Sequence, residues 1–516
     1  MLNQSCGRSF LGHLHQTLRK TQPIGSPIQW VGCVIVYCLF VSPLLAQHRN
    51  VSTNAPILSS PVSPSDSVNH SNVTAAVKHP LKRGVNFGNM LEAPSEGAWG
   101  LTVKSEFFEQ AAQAGFDHVR LPVSWTHHTS KESPFTIEPA FIERVDWCLA
   151  EAERVGLNLI LNVHHYEELN RDPMGERARA LAIWKQISVR YKDCGEWLFF
   201  EILNEPHVTF NDRPELWNQF MRDALAVIRE NHPRRPVLVG PVRWNSIDAL
   251  QSTDFDPPAD PHLIAAVHYY EPFHFTHQGA NWVDPSPPLG RSWDGNRLNF
   301  HSKWQNWSWE IQSDSVSVED QQGMQITPQK GWAGLKLHHS PGIDNARRLR
   351  VKIAGGKRLK VAVFSGEKEK SEIVDFENAP MEFKLEINEG FGPVTDVLIQ
   401  CDTEEVYPPF LLKQLELEHE MGVVHILQSE TDEIEAAMSS AVAWAAERKM
   451  GLHLGEFGAY YRADLNSRSK WTRTVRELAE KNGIGWAYWE FASGFGVFDP
   501  EAGQFRKPLL DALLGK

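Results

Sequence analysis

From Leu81 onward, short apolar runs alternate with longer stretches in which apolar positions recur at a helical period. Such runs are typical of buried strands, and such stretches are typical of amphipathic helices. The runs predict strands at 83–88, 116–122, 157–163, 197–203, 236–240, 262–269, 451–456 and 484–490. The stretches predict helices at about 102–114, 139–155, 176–192, 214–231, 244–251, 431–448, 465–482 and 507–514. Eight strands, each followed by a helix, indicate an α/β fold, the (β/α)8 TIM barrel.

The helical period stops between about residues 301 and 425, where short alternating runs are separated by Gly and Pro. This alternation predicts an antiparallel β-sandwich. Because the segment follows the sixth predicted strand, we expect it to be inserted on the face where the barrel strands end. Its first part, KWQNWSWE, is rich in aromatic residues, which favours contact with carbohydrate. An insertion that only packs on the barrel rim is the alternative.

Residues 1–46 have the composition of an export signal or a membrane anchor, because a basic segment without Asp or Glu precedes the apolar run 28–46. Residues 47–80 are rich in Ser, Pro and Asn and predict a disordered linker. The protein is therefore expected to be secreted or to reside in the cell envelope or periplasm. The catalytic barrel is expected to comprise 81–300 and 426–516.

Composition excludes some kinds of partner. The net charge of -13 argues against nucleic acid, because phosphate binding needs a basic surface. No phosphate-binding glycine loop stands out. Three of the six cysteines lie in the N-terminal segment, and the other three, Cys148, Cys194 and Cys401, are too widely spaced for a metal knuckle or a disulfide framework. The sequence therefore gives no reason to expect a cofactor or a metal. The 18 Trp are numerous enough to supply stacking platforms for sugar rings as well as a core.

Residues able to bind a ligand stand at seven of the eight predicted strand ends. In a (β/α)8 barrel these ends converge on the catalytic face, whereas in an open doubly wound sheet they would not. The residues are Asn86, Arg120, His164, His165, Asn204, Glu205, His268, Tyr270, Glu456 and Trp489. The two adjacent histidines point to opposite sides of a strand, which argues against a shared metal ion.

Glu205 and Glu456 are the candidate catalytic pair, in the contexts Asn-Glu-Pro and Gly-Glu-Phe-Gly. Two carboxyl groups about 5–5.5 Å apart can hydrolyse a glycosidic bond with retention. Strand alternation places Glu201 on the same side as Glu205 but deeper, as a buried carboxylate paired with an Arg. The same alternation points Asn204 away from the site. Asn204 and Glu205 can therefore both reach it only if the strand end is irregular.

The segments LNEP (203–206) and GEFG (455–458) resemble glycoside hydrolase family 5, the cellulase and mannanase family, and above all its bacterial endoglucanases. The likeness extends through RGVNFGNMLEAP, HVRLPVSW, LNLILNVHHYEEL and WAYWEFASGFGVFD. It covers 81–300 and 426–516, and it includes neither the N-terminal segment nor the insertion.

The resemblance implies roles for the matching positions. Glu205 would be the general acid/base and Glu456 the nucleophile. Arg120 and Tyr270 would be partners of the nucleophile, and His268 would lie near the acid/base. The remaining positions would contact sugar: Asn86, His164, His165, Asn204 at the 2-hydroxyl, and Trp489. In the loop after the sixth strand, His277 and Trp282 are expected to form a subsite wall.

These observations favour a retaining endo-β-glycanase that acts on a β-1,4-linked polysaccharide, glucan or glucomannan. A mannanase or xyloglucanase could use the same site, because loop shape decides the substrate. A transglycosylase would need no different residues. A non-hydrolytic carbohydrate-binding protein with a decayed barrel is the alternative from another class, and the intact glutamate pair argues against it.

Overall fold

The computed structural model describes residues 78–515 apart from 254–259, 302, 319–320, 378–380 and 421. The predicted export or anchor segment 1–46 and nearly all of the predicted linker 47–80 lie outside the described residues. Within the described part of the chain, no helix has both the length and the apolar character needed to cross a membrane.

The first half of the chain builds six parallel strands at the positions that the apolar runs predict. They are β1 (Arg83–Asn86), β2 (His118–Leu121), β3 (Asn158–Asn162), β4 (Leu198–Glu201), β5 (Val237–Val239) and β6 (Leu263–His268). The helices of this half are α1 (Ser105–Ala114), α2 (Pro139–Arg154), α3 (Glu167–Arg171), α4 (Pro173–Arg190), α5 (Thr209–Asp212), α6 (Pro214–Arg229), α7 (Val242–Asn245) and α8 (Phe273–Thr276). Short 3-10 helices span Trp125–His128 and Ile247–Ser252.

The helix predicted at 244–251 is wrong. In its place are the single turn α7 and the 3-10 helix Ile247–Ser252. Arg243, Trp244 and Asn245 have φ values of 57°, 57° and 56°. A left-handed backbone cannot continue an α-helix, so the chain turns sharply and returns to the strand ends.

The insertion forms a β-sandwich, as its alternating pattern predicts. Its stem is β7 (Leu298–Phe300) paired with β19 (Leu427–Ser429). One sheet runs in the order β14 (Lys368–Asp375), β13 (Arg358–Ser365), β16 (Val394–Cys401), β11 (Gly334–Ile343) and β8 (Trp304–Asn306). The other contains β15 (Met381–Glu386), β12 (Ala346–Ala354), β17 (Phe410–His419), β10 (Gln321–Pro328), β9 (Ile311–Val318) and β18 (Gly422–His425). Apolar residues of both sheets share one buried core.

The last part of the chain closes the barrel with β20 (Gly451–Glu456) and β21 (Gly485–Tyr488). Together with β1–β6 these strands form a closed, all-parallel barrel of eight strands. The predicted (β/α)8 barrel is therefore confirmed. The remaining elements are α9 (Glu430–Glu447), α10 (Leu465–Lys481), the pair β22 (Phe498–Asp499) and β23 (Gln504–Phe505), and α11 (Lys507–Leu514).

The interior of the barrel is partly apolar and partly polar. Ile160, Phe199, Leu238, Ile264 and Ala266 pack together inside it. Because side chains alternate along a strand, residues two positions further on point into the same interior nearer the strand ends. Asn162, Glu201 and His268 occupy such positions and are buried. The strand period therefore delivers polar groups to the catalytic end of an otherwise apolar barrel.

Candidate active site

A cleft of about 990 Å³ opens where the barrel strands end. Most of the residues predicted from the sequence line it: His164, His165, Asn204, Glu205, His268, Tyr270, His277, Trp282, Glu456 and Trp489. Arg120 and Asn86 are fully buried behind the cleft wall. The prediction that Asn86 contacts sugar is therefore wrong, because its side chain does not line the cleft. Its side-chain amide donates to the carbonyl oxygens of Gly455 and Ala487 at 3.0 and 3.2 Å, so it braces neighbouring strands.

Glu456 ends β20, and each of its carboxylate oxygens accepts a hydrogen bond. Arg120 Nη1 donates to Oε1 at 2.7 Å, and the Tyr270 hydroxyl donates to Oε2 at 2.9 Å. A carboxylate held at both oxygens by a cation and a hydroxyl is oriented and favoured in its ionised form. Arg120 and Tyr270 thus occupy the positions that the resemblance implies for partners of the nucleophile.

Arg120 connects Glu456 to the strand that carries the other carboxyl group. Its Nε and Nη2 donate to Glu201 at 2.6 and 3.0 Å, and Nη2 also donates to Asn204 Oδ1 at 2.7 Å. Glu201 is fully buried. The prediction that it is a structural carboxylate paired with an arginine is therefore confirmed.

Glu205 has a different set of neighbours. His268 Nδ1 lies 2.8 Å from Glu205 Oε1, and Asn245 Nδ2 lies 3.3 Å from His268 Nε2. Burial lowers the pKa of His268 to about 4, so its ring is neutral near pH 7. The placement of the Asn245 Nδ2 group beside Nε2 assigns the single ring proton to Nδ1, the nitrogen that faces Glu205.

The end of β4 is irregular, as the conflicting side-chain directions of Asn204 and Glu205 predict. Regular strand geometry stops at Glu201, and Glu205 has a φ of 48°. The Asn204 main-chain amide donates to the Val163 carbonyl at 2.9 Å. This departure from alternation lets Asn204 bond Arg120 while Glu205 faces the cleft.

The two carboxyl groups are close together but differ in their surroundings. Ligand atoms of Glu205, His268 and Glu456 all lie within 4.8 Å of one another. Burial raises the pKa of Glu205 to about 7. Burial also raises the pKa of Glu456, but the charge of Arg120 and the Tyr270 hydroxyl oppose that shift. One group is therefore suited to carry a proton and the other to remain an anion.

Glu205, His268 and Glu456 are also near enough to one another to surround an ion. The Arg120 guanidinium, however, already places a permanent positive charge 2.7 Å from Glu456. That charge compensates the carboxylate without a metal and would repel a second cation. The chemistry of these groups fits acid–base and nucleophilic catalysis better than metal binding.

Aromatic rings form the walls of the cleft. Trp489 and His164 lie nearly parallel, with 5.8 Å between ring centroids. His277 stacks on Phe273 at 4.2 Å, and Trp282 packs edge-on against Tyr460 at 4.7 Å. His277 and Trp282 therefore lie where the sequence predicts a subsite wall.

Several residues of the cleft escaped the sequence prediction. Trp244 lines the cleft, and Asn245 beside it is fully buried and contacts His268. Both lie in the segment for which the pattern predicts a helix, so no signal in the sequence separates them from packing residues. Glu490 also lines the cleft and accepts from Asn89 Nδ2 at 2.6 Å. Burial raises the pKa of Glu490 to about 8. Its position directly after Trp489 at a strand end was the signal that could have identified it.

Comparison with known proteins supports one family. A sequence model described as cellulase, glycosyl hydrolase family 5, matches residues 82–311. Endoglucanase H of Acetivibrio thermocellus is 39% identical over 199 residues, which are 38% of this chain and 21% of that protein. Endoglucanase C of the same organism is 29% identical over 226 residues, 41% of this chain and 64% of that protein. The chain thus spans less than two thirds of the length of these two relatives.

The fold is similar to that of solved endoglucanases. The crystal structure of endoglucanase Cel5A from the hyperthermophilic Thermotoga maritima is 32% identical, with a TM-score of 0.56. The alignment covers 84% of this chain and 97% of Cel5A. Structures of that enzyme are described in complex with cellobiose and with mannotriose.

Proposed function

Because the chain belongs to glycosyl hydrolase family 5, we propose that it is an endo-acting β-glycanase that cleaves a β-1,4-linked polysaccharide with retention of anomeric configuration. The observation that carries this proposal is the pair Glu205 and Glu456, which have carboxyl oxygens within 4.8 Å of each other in contrasting surroundings. This separation is close to the one found in retaining enzymes and leaves little room for the water that an inverting enzyme uses.

The reaction begins with the two glutamates in opposite protonation states. Glu456, ionised and held by Arg120 and Tyr270, attacks the anomeric carbon while Glu205 gives its proton to the departing glycosidic oxygen. A covalent glycosyl ester on Glu456 results. Glu205, now a carboxylate, then takes a proton from water as that water attacks the ester and restores Glu456.

Glucan and glucomannan are the proposed substrates. A related enzyme, Cel5A, is described in complex with both cellobiose and mannotriose, which supports a site that accepts glucose and mannose units. Stacking on Trp489 reads the apolar face of a pyranose ring and is compatible with either sugar. Initial rates on a panel of cellulose, β-mannan, glucomannan and xyloglucan test this part of the proposal. Activity confined to xyloglucan would contradict it.

Azide rescue tests the mechanism and separates the two roles. With an activated aryl cellobioside, Glu456→Gly plus azide should yield the α-glycosyl azide, because azide replaces the nucleophile. Glu205→Gly plus azide should yield the β-glycosyl azide, because azide replaces the attacking water. Without azide, both variants should lose at least about a thousandfold in kcat on polysaccharide. An α-configured first product from the unaltered enzyme would show inversion and overturn the mechanism.

A further inference from the structure

The inserted sandwich presents a row of tryptophans on the outer side of the sheet that ends in β8. The chain continues past β8 beside β11, because Trp307 N donates to the Lys336 carbonyl at 2.8 Å and Trp309 N donates to the Gly334 carbonyl at 3.0 Å. In an antiparallel pair, residues directly opposite each other point to the same side. Trp307 and Trp309 therefore share one face of the sheet.

That face is directed away from the sandwich core. On β11, Leu335 and Leu337 point inward and belong to the buried core, so Lys336 between them points outward. The side chains of Trp307 and Trp309 lie on this outward side, and Trp332 lies next to them. We call Trp307, Trp309 and Trp332 the tryptophan face.

The three indoles are strongly exposed, with exposed fractions of 49% for Trp307, 37% for Trp309 and 49% for Trp332. Burying the rings would remove apolar surface from water and stabilise the fold. A cluster of exposed large aromatic rings is therefore costly, and it is typical of a binding surface.

The indoles are held in fixed orientations by their surroundings. The Trp307 ring lies parallel to the His338 ring, with 3.9 Å between centroids and 6° between planes. Trp309 Nε1 donates to the Trp332 carbonyl at 2.8 Å. The Trp309 ring also lies over Gly334, where a Cβ would approach it to 2.4 Å. A glycine that makes room for an exposed ring indicates a built platform and not a loose apolar patch.

The charged groups around these rings are paired. Lys336 Nζ and His338 Nδ1 each lie 3.2 Å from Asp396 Oδ1, and Lys330 Nζ lies 2.8 Å from Glu310 Oε1. A face with compensated charge does not suit an anionic polymer such as nucleic acid, which needs an excess of cations. Flat aromatic rings among uncharged or paired polar groups suit the C–H faces and hydroxyls of a neutral sugar chain.

We propose that the tryptophan face is a second polysaccharide-binding surface, separate from the catalytic cleft, that takes a neutral β-linked polysaccharide. The choice of polymer rests on the proposed function of the cleft. Adjacent outward positions on a strand lie about 7 Å apart, similar to the size of a pyranose ring. Successive sugars of one chain can therefore stack on Trp307 and Trp309.

The surface lies on a domain that is joined directly to the rim of the cleft. His301 and Lys303, at the start of the insertion, line the cleft. A polymer held on the tryptophan face is thereby kept near the catalytic groups by the short stem of β7 and β19. The face should raise the effective concentration of polymer at the cleft and should have no effect on a short soluble substrate.

Polymer binding by a catalytically inactive variant tests the proposed role of the tryptophan face. Binding is measured as depletion of the protein from solution by insoluble cellulose or β-mannan. In the Glu456→Gln background, the triple change Trp307→Ala, Trp309→Ala and Trp332→Ala should weaken this binding at least tenfold. Val423→Ala, an exposed apolar residue on the other sheet, is the matched control and should bind as its parent does. With Glu456 restored, the triple variant should keep kcat/KM on an aryl cellobioside within about twofold.

Gly334→Ala guards against a folding artefact, since it leaves all three tryptophans in place and should still weaken binding by displacing Trp309. Unchanged depletion in the triple variant would overturn the proposal. So would a concentration-dependent dimer, detected by sedimentation, that the triple change abolishes while polymer depletion stays the same. Because depletion is measured without catalysis, a failed proposal for the cleft and a failed proposal for this face give different results.

Discussion

Arg120 is the residue on which the geometry of the site depends most. One buried guanidinium bonds Glu456, Glu201 and Asn204. Burying a charge is tolerable only when its hydrogen bonds are satisfied, and here the partners come from β4 and β20 as well as from the loop beyond β4. The nucleophile is therefore fixed relative to the strand that leads to the acid/base.

The protonation state of Glu205 should determine how activity depends on pH. Burial raises the pKa of Glu205 to about 7, so this group keeps its proton well above the pH at which an ordinary glutamic acid loses it. Because the first step needs the protonated form, kcat/KM should fall as pH rises above about 7. A pH profile of kcat/KM on a short soluble substrate measures this limb.

A substitution at Asn245 tests which tautomer of the His268 ring faces Glu205. Asn245→Asp would place a carboxylate at His268 Nε2, draw the ring proton to that nitrogen and leave Nδ1 as an acceptor facing Glu205. Protonated Glu205 would then be favoured, so the alkaline limb should move to higher pH by about one unit. Aspartate tolerates the left-handed backbone at φ 56°, which keeps the change conservative. An unmoved limb with an unchanged melting temperature would contradict this arrangement.

At the scale of elements, β4 shows what a periodic pattern can and cannot reveal. Period-two alternation placed Glu201 correctly in the interior, and the conflicting directions of Asn204 and Glu205 correctly predicted an irregular strand end. The pattern did not reveal how the irregularity is made. That depends on a positive φ at Glu205 and on the bond from Asn204 to Val163, a residue far away in sequence.

The segment after β5 shows a backbone conformation that the hydrophobic pattern could not predict. Its apolar spacing favoured a helix at 244–251, because periodicity reports which positions are buried and says little about φ. Three consecutive residues other than glycine have a left-handed backbone there, and a sequence carries no strong signal for that. Only the structure shows that Trp244 lines the cleft and that Asn245 contacts His268 from behind it.

The ion pair between Arg120 on β2 and Glu201 on β4 leads to a stability prediction. Glu201→Gln keeps the shape of the side chain but removes the charge that bonds Arg120 at 2.6 and 3.0 Å. Breaking a buried ion pair from one side costs roughly 3–5 kcal/mol. We expect the lower end, about 3 kcal/mol, because Glu456 still compensates the guanidinium. Urea unfolding followed through the barrel tryptophans measures the difference.

A surface pair is the control for this change. Glu215 bonds Arg213 in an exposed pair, with exposed side-chain fractions of 63% and 59%. Glu215→Gln should leave the urea midpoint unchanged, because exposed ion pairs contribute little. A Glu201→Gln variant as stable as the control would show that Arg120 relies on Glu456 and the amide groups alone.

At the scale of the whole molecule, the chain has two main cores. Among the residues that the structure describes, the core that joins barrel strands and helices includes none between 301 and 426, and the sandwich core is built from residues between Trp304 and Leu427. The change from a helical period to alternation near residue 301 marks this division in the sequence. How the stem strands pair depends on residues far apart in the chain, so no local pattern could predict their register.

The stem makes the barrel separable from the insertion. Phe300 pairs directly with Leu427 in an antiparallel register, so the chain ends left by removing 301–426 lie side by side. An Asn-Gly turn can close them as a two-residue hairpin. The stem residues Phe300 and Leu427 pack with the sandwich core and would become exposed. Changing both to Thr keeps a favourable cross-strand pair without an apolar patch.

This shortened chain should fold as a barrel and keep kcat on an aryl cellobioside within about threefold, because Glu205, Glu456 and their partners all lie outside the removed segment. Its KM should rise modestly, since His301 and Lys303 leave the cleft wall. Circular dichroism and initial rates measure both effects, with the full chain carrying Phe300→Thr and Leu427→Thr as the control. A shortened chain that fails to fold beside a folded control would mean that the barrel needs the sandwich for stability. The two cores would then be thermodynamically coupled.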